Sequence, residues 1–166
     1  MSRQVLREQA APATPTPPAV RAWVRLLRAS AAATRRLSGE LQAAHGLSIN
    51  DYEALYVLSR AEGRRLKRVD LAGRLLLSPS GVTRLLEGLE RAGLVERAEC
   101  PSDLRVTYAQ LTDAGAAKLQ AASCGHEASI RALLEEHYSA QQIEELAELL
   151  GRLPGVADGD DACTAA

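Results

Sequence analysis

A short helix in the middle of the chain is marked at both ends by residues that start and stop helices. Ser78 can accept a hydrogen bond from the first turn, and Pro79 suits the first helical position. Apolar residues then recur at steps of three and four as far as Ala92, and Gly93 follows as a stop signal. Because a second short helix is predicted just before it, over residues 69–76, the pair predicts a helix-turn-helix motif.

Helical stripes also flank this motif. Only 3% of the residues are aromatic and none is Phe, so the core has to be built from Leu, Ala and Val, which favours helices. Residues 94–99 and 106–111 contain β-branched and aromatic side chains on either side of a turn-rich loop, which predicts a β-hairpin with a long loop. The predicted fold is mostly α with a small β-hairpin, namely a winged helix-turn-helix with terminal dimerisation helices. The remaining predicted helices cover residues 18–44, about 48–63, 113–136 and 140–153.

The 166 residues suit a single domain, which we expect to span residues 18–153. The terminal helices carry wider apolar stripes than one small core can cover, which favours a homodimer; the alternative is that they cover each other within one chain. Prolines in residues 1–17 and small, acidic residues in 154–166 predict a disordered arm and a disordered acidic tail. Within the domain, the winged helix-turn-helix is expected at about 48–112, and the dimerisation helices at about 18–44 and 113–153.

The formal net charge is only −1, but the charges are unevenly distributed. Residues 60–76 contain six basic side chains against two acidic ones, whereas residues 134–150 contain five acidic side chains and no Lys or Arg. The basic segment indicates a local positive surface for binding nucleic acid, although two solvated helix faces would give the same charge pattern.

The helix that begins at Pro79 has the length and the side chains to enter a major groove of DNA. Hydroxyls in its first turns can bond to base edges or phosphates, a glycine lets the backbone come close, and an arginine can fork onto guanine. Glu87 and Glu90 in its far half would repel phosphates, so the N-terminal end is predicted to enter the groove. The alternative is a helical hairpin that merely packs. The candidate DNA contacts in and before this helix are Lys67, Arg68, Ser78, Ser80, Gly81, Thr83 and Arg84.

The loop of the predicted hairpin adds a second candidate contact. It carries Asp103 and Arg105, and a loop beside the helix can place an arginine in the adjacent minor groove, where the negative potential is strong. Asp103 can hold Arg105 in place by an ion pair, although most surface pairs of this kind have no consequence.

Five separated segments together resemble the MarR family of bacterial regulators in their order and spacing. The resemblance extends over about residues 20–153, and residues 46–48 and 52–55 also sit where that family enters its second helix. The five segments are residues 70–72 (DLA), 77–86 (LSPSGVTRLL), 89–97 (LERAGLVER), 103–105 (DLR) and 111–115 (LTDAG).

The resemblance implies a homodimer that presents two winged helices to a palindromic operator in double-stranded DNA, most often as a repressor. It implies that Ser80, Thr83 and Arg84 lie in the major groove and Arg105 in the minor groove. It also implies regulation by a small-molecule effector or by an oxidant. The family often has Asp-Arg-Arg at the wing tip, and Leu104 in the middle position leaves this chain one cation fewer there.

Two mechanisms of regulation are compatible with the sequence. In one, an effector such as an aromatic acid binds near the junction of the first two helices and changes the spacing of the DNA-binding helices. In the other, Cys100 is a redox switch, with Arg97 three residues away to lower the pKa of its thiol. The peroxide-sensing members that the chain resembles usually carry their sensor cysteine in the first helix, and no cysteine precedes Cys100 here. The candidate effector residues are Trp23, Arg25, His45, Tyr52 and Tyr56, each of which could instead be ordinary core or surface.

Other classes of function find little support in the sequence. No nucleotide-binding, metalloprotease or nucleophile-elbow motif occurs, so we expect neither an enzyme nor a cofactor. The three histidines and three cysteines lack metal-ligand spacing, and the odd cysteine count fits a reducing compartment. With no apolar run of spanning length and no signal-peptide pattern, a cytoplasmic protein without membrane contact is expected. The remaining rival is a winged helix that binds another protein, and the basic residues of the motif favour DNA over it.

Overall fold

A computed structural model describes residues 16–75, 77–100 and 103–154, without the side chains of residues 99, 100 and 103–106. The order of elements confirms the predicted fold class and adds one strand. The two predicted disordered ends lie, except for a few residues, outside the described part of the chain. The elements are α1 (Pro18–His45), α2 (Ile49–Arg60), a 3₁₀ turn (Glu62–Arg64), β1 (Arg65–Lys67), α3 (Arg68–Arg74), α4 (Pro79–Arg91), β2 (Val95–Cys100), β3 (Asp103–Leu111), α5 (Asp113–Glu135) and α6 (Ala140–Gly151).

The contacts divide the chain into two compact units, of which the first ends at Ala33 and the second begins at Thr34. In the first unit, the described residues are mostly the N-terminal part of α1, and four of its large apolar side chains are exposed. These are Val20, Trp23, Val24 and Leu27.

The core lies in the second unit, where the apolar faces of α2, α3 and α4 pack with the sheet and with α5. Leu55, Leu58, Leu71 and Leu86 are fully buried at its centre. Each buried leucine stabilises the fold by about 1.5–3 kcal/mol relative to an exposed one. By contrast, α6 contributes no buried residue.

Side-chain hydroxyls define the starts of four helices. Ser48 forms a reciprocal capping box with Asp51 at the start of α2. Ser78, Thr112 and Ser139 each accept a hydrogen bond from a first-turn N–H group of α4, α5 and α6 respectively, and the first of these confirms the cap predicted at Ser78. A cap of this kind is worth about 1 kcal/mol.

The sheet has three antiparallel strands in the order β1-β3-β2. The sequence did not predict β1, because three residues are too few for an alternating pattern to stand out. The predicted long hairpin loop is wrong: β2 and β3 pair as far as Cys100 and Asp103, so that only residues 101 and 102 connect them. Asp103 and Arg105 therefore belong to β3, because backbone pairing continues beyond the apolar residues that marked the strand.

A close approach at the start of α5 requires glycine. Gly115 is buried, and a Cβ there would clash with the carbonyl oxygen of Leu94 and lie 2.7 Å from Leu111 Cδ1. Nearby, Thr112 Oγ1 donates to the carbonyl of Gly93 at 2.8 Å and accepts from the Gly115 N–H at 3.0 Å. Glycine is ordinarily unfavourable inside a helix. In the structure it lets α5 pack against the start of β2.

Candidate nucleic-acid interface

The two faces of α4 have different surroundings. Val82, Leu86 and Leu89 are buried and join α4 to the core. Ser80 and Thr83 are exposed on the side away from the core, as is Arg84. Because the inner face of α4 is fixed in the core and its outer face is exposed, the outer face can enter a major groove without disturbing the fold.

The first turn of α4 is organised around the hydroxyl of Ser78. This hydroxyl accepts a hydrogen bond from the Gly81 N–H at 3.1 Å and lies 3.2 Å from Ser80 Oγ. A Cβ at Gly81 would lie 3.2 Å from the same hydroxyl, so glycine gives the cap the room that it needs. Pro79 occupies the first turn, and the positive end of the helix dipole favours an anion such as a phosphate here.

Two of the outward side chains fold back along α4. Thr83 Oγ1 donates to the carbonyl of Pro79 at 2.9 Å, and Arg84 Nε donates to the carbonyl of Ser80 at 3.4 Å. Since both contacts are exposed, a DNA group can replace them at little cost. The far end of α4 carries a similar contact, from Arg91 Nε to the carbonyl of Glu87 at 3.1 Å, beside acidic side chains.

The basic segment before α4 is held by contacts with other elements. Arg64 Nη1 lies 3.0 Å from Asp113 Oδ1, and the Arg65 guanidinium stands 5.3 Å from the centre of the Tyr108 ring. The ion pair is exposed and therefore contributes little to stability. The cation–π contact of Arg65 with Tyr108 adds a side-chain interaction between β1 and β3.

The two residues predicted to approach DNA from this segment differ in exposure. Lys67 is exposed at the end of β1, where it pairs with Tyr108 of β3. Arg68 is half-buried, and its Nη2 is enclosed with no hydrogen-bond partner among the described residues. Of the two, Lys67 has the side chain that is more exposed to solvent.

The wing tip is described only by its backbone. The backbone of Cys100 ends β2 and that of Asp103 begins β3, while the side chains of these residues and of Arg105 lie outside the description. The predicted ion pair, minor-groove contact and redox role stay predictions. The nearest described cation in β2 is Arg97, whose Nη2 donates to Thr107 Oγ1 at 3.4 Å.

The five candidate effector residues have different environments. Trp23 and Arg25 are exposed in the first unit. In the second unit, Tyr52 is buried in the core and donates a hydrogen bond from its hydroxyl to Ser123 Oγ at 3.2 Å, and Tyr56 is half-buried against the same core. His45 is half-buried at the end of α1 and lines a surface groove.

That groove lies between the end of α1 and the middle of α5, and its volume is about 450 Å³. One of its lining residues, His126, is only 7% exposed and has an Nδ1 with no hydrogen-bond partner in the described chain. Its ring packs at a tilt against Tyr52, with 4.5 Å between ring centres. Burial lowers the pKa of His126, and the nearby Glu40 carboxylate opposes that shift. The groove is lined by Glu40, Leu41, Ala43, Ala44, His45, Gly125, His126 and Ser129.

In the sequence, His126 is only one of three histidines without metal-ligand spacing. No signal in the sequence could have singled it out, because its isolation depends on the packing of α5 against α1 and α2. Across residues 16–75, 77–100 and 103–154 there is no group of three metal-ligating side chains. None of the described helices offers a stretch long and apolar enough to cross a membrane.

Comparison with known proteins identifies this architecture. A MarR family sequence profile matches residues 45–105. The HTH-type transcriptional repressor YetL of Bacillus subtilis (strain 168) is 34% identical over 111 residues, which span 67% of this chain and 66% of that protein, about two thirds of its length.

Two solved structures from Streptomyces coelicolor share the fold over most of their length. AbsC, a MarR family transcriptional regulator, is 33% identical with a TM-score of 0.72, over 81% of this chain and 90% of its own. Sco3205, a MarR family regulator crystallised in complex with DNA, is 28% identical with a TM-score of 0.75, over 89% and 96% respectively. These relatives are transcriptional regulators rather than enzymes. With its helix-turn-helix, its exposed first turn of α4 and its three-stranded wing, the chain belongs to the MarR family of DNA-binding transcriptional regulators.

Proposed function

We propose that this protein is a homodimeric repressor in the cytoplasm, which binds a palindromic operator and is released from it by a small-molecule effector. The observation that carries the proposal is the division of α4 between a buried apolar face and an exposed, hydroxyl- and arginine-bearing first half. The name of YetL as a repressor supports the sign of regulation, and the DNA complex of Sco3205 supports the DNA-binding role.

In this proposal the first half of α4 enters the major groove. Arg84 gives up its contact with the Ser80 carbonyl to fork onto guanine O6 and N7, and Thr83 and Ser80 contact neighbouring bases or phosphates. Lys67 neutralises a phosphate beside them. Arg105, preceded by Asp103, reaches the minor groove from β3.

The homodimer is supported by apolar surface that the chain leaves exposed. Val20, Trp23, Val24 and Leu27 are exposed in the first unit, and Leu149 and Leu153 are exposed at the end of the second unit. The polar residues around these surfaces differ in charge: α1 carries arginines in its first half, whereas α6 carries several glutamates. Surfaces with exposed apolar residues and opposite charges suit self-association of two copies.

The test is DNA-binding anisotropy with the protein's own upstream DNA, unrelated DNA as a control, and two salt concentrations. Arg84→Ala should weaken binding to the operator by about 1–3 kcal/mol and reduce the preference over unrelated DNA. Arg91→Ala is the matched control, because Arg91 is also exposed and also bonds to a carbonyl one turn back, but lies at the far end of α4.

Equal losses for both variants would show that α4 contributes only general positive charge. Equal, weak binding of the wild type to both DNAs, which disappears at moderate salt, would contradict the proposal and favour a winged helix that binds another protein.

A further inference from the structure

The chain leaves α4 in a direction that the last turn of the helix fixes. Gly93, with a φ of +69°, takes the left-handed conformation that ends many helices. The N–H group of Leu94 then donates back to the carbonyl of Leu89 at 3.0 Å. Because this hydrogen bond closes the end of α4, the carbonyls of Gly93 and Leu94 have fixed positions relative to the helix.

Thr112 binds both of these carbonyls. Its Oγ1 donates to the carbonyl of Gly93 at 2.8 Å, and its backbone N–H donates to the carbonyl of Leu94 at 3.1 Å. The same Oγ1 accepts a hydrogen bond from the N–H group of Gly115 at 3.0 Å, as the N-terminal cap of α5. A single hydroxyl therefore joins the end of α4 to the start of α5.

Close packing supports the hydrogen bonds at this junction. Gly115 is buried, and a Cβ there would clash with the carbonyl oxygen of Leu94. A backbone carbonyl cannot turn aside as a flexible side chain can, so the start of α5 has little room to move relative to the end of α4. The helix α2 contacts both α4 and α5 and adds to this constraint.

The angle between the two helices matters because the proposed DNA contacts lie at the other end of α4. The 13 residues of α4 span about 20 Å. A rotation of about 10° at the junction would move the first turn of α4 by about 3 Å, which is close to the rise of one base pair. At its other end α5 leads to α6, whose exposed Leu149 belongs to the proposed dimer surface.

We infer that Thr112 is a positioning residue for operator recognition. Its hydroxyl fixes the angle between α4 and α5, and in the dimer this angle sets the spacing between half-sites that the protein accepts. Thr112 acts through α4, because it lies at the end opposite the proposed base contacts. The role in spacing rests on the proposed function, whereas the angle is a property of the single chain.

The first experiment measures binding of the full-length protein to three palindromic DNAs and to a DNA with one half-site. The palindromes have the preferred spacer, one base pair fewer and one base pair more. Thr112→Val removes the hydroxyl and keeps the size and branching of the side chain. It should reduce the preference for the best spacer by at least about threefold, because a looser junction tolerates a shifted half-site. Affinity for the single half-site should change by less than about twofold, since the first half of α4 is intact.

Two further variants separate positioning from a loss of stability. Thr112→Ser retains the hydroxyl and should keep the wild-type preference. Ser48→Ala is the matched control, because it removes a cap of the same kind from α2, where Ser48 Oγ accepts from the Asp51 N–H at 3.2 Å. It should lower stability and leave the preference unchanged. All variants are compared at a temperature at which circular dichroism shows each to be fully folded.

The second experiment measures the angle without DNA. Spin labels are placed on Cys124 of α5 and at Glu87→Cys of α4, both exposed positions, with Cys100 and Cys163 replaced by serine. Labelled protein is diluted into an excess of unlabelled protein, so that distances within one chain dominate. Thr112→Val should broaden the distribution of distances between the labels by at least about 1.5-fold, and Thr112→Ser should not.

An unchanged spacer preference or an unchanged distance distribution in Thr112→Val would overturn the inference. An equal loss of preference in Ser48→Ala would also overturn it, because any destabilised cap would then have the same effect. Wild-type binding that ignores the spacer would contradict the proposed palindromic operator and the role of Thr112 in spacing. The label distances would then still decide whether the hydroxyl fixes the angle.

Discussion

The helices α4 and α6 are similar in isolation and differ in what they contact. They have 13 and 12 residues, both are capped by a serine, and both carry leucines at helical spacing. However, α4 buries Val82, Leu86 and Leu89 in its own chain, whereas α6 buries none of its residues and leaves Leu149 58% exposed.

The difference shows that an apolar stripe on a helix predicts that the stripe will be covered. It does not predict whether the same chain or another molecule covers it. The stripe of α4 packs against α2, α3 and β2, so a single chain can cover it. The stripe of α6 lies outside the core, in the last helix that the structure describes. Leu149 in α6 and Leu153 just after it are exposed, as expected of a surface that binds another molecule.

The largest expected effect follows from truncating the buried stripe. Leu86→Ala should lower the free energy of unfolding by about 2–5 kcal/mol, because a fully buried leucine loses its contacts and leaves a cavity. Urea unfolding followed by circular dichroism measures the change. If the cost were below about 1 kcal/mol, α4 would not be held by the core as described.

A smaller effect is expected from charging the exposed stripe. Leu149→Glu should weaken association of two copies by at least about tenfold, or about 1.4 kcal/mol, while the chain keeps its helical content. Sedimentation over a range of concentrations measures the association. Ala147→Glu adds the same charge to the opposite side of α6 and should change association much less. Similar effects of the two substitutions would argue against this stripe as the interface.

The same two helices show how much the sequence could predict. Periodicity and capping residues predicted the existence of every helix, because these signals are local and each has a physical cause in the helix itself. The start of α4 was correct to the residue, since Ser78 and Pro79 both act within one turn.

What the sequence could not predict depends on partners distant in the chain. The strand β1 exists only because Arg65, Leu66 and Lys67 find β3 some forty residues later. The role of Gly115 depends on the position of the Leu94 carbonyl, and the isolation of the His126 imidazole depends on three helices at once. In the candidate interface, the exposed residues of α4 were predictable, whereas the enclosed guanidinium of Arg68 was not.

The serine caps at the starts of α4 and α6 allow the two helices to be compared through one hydrogen bond each. Ser78→Ala and Ser139→Ala should each cost about 1 kcal/mol, because each hydroxyl accepts from one first-turn N–H group. Hydrogen exchange should separate them. The loss of Ser78 should speed exchange throughout the core, since α4 opens only with it, and the loss of Ser139 should speed exchange in α6 alone. Faster exchange across the whole protein in Ser139→Ala would mean that α6 is part of the same cooperative unit.

The smallest effect expected is the pH dependence contributed by His126. Because burial lowers its pKa in the folded state, the unfolded chain takes up the proton first as the pH falls below about 6.5. Stability is therefore highest above that pH and declines as the pH falls towards the lowered pKa, by less than about 1.4 kcal/mol per pH unit.

Urea unfolding between pH 7.5 and 5.5 should show this decline in the wild type and a flatter profile in His126→Gln. His137→Gln is the control, because that side chain is exposed beyond the end of α5. If His126→Gln kept the full decline, the proton would bind elsewhere, and burial of the imidazole would not be the cause of the pH dependence.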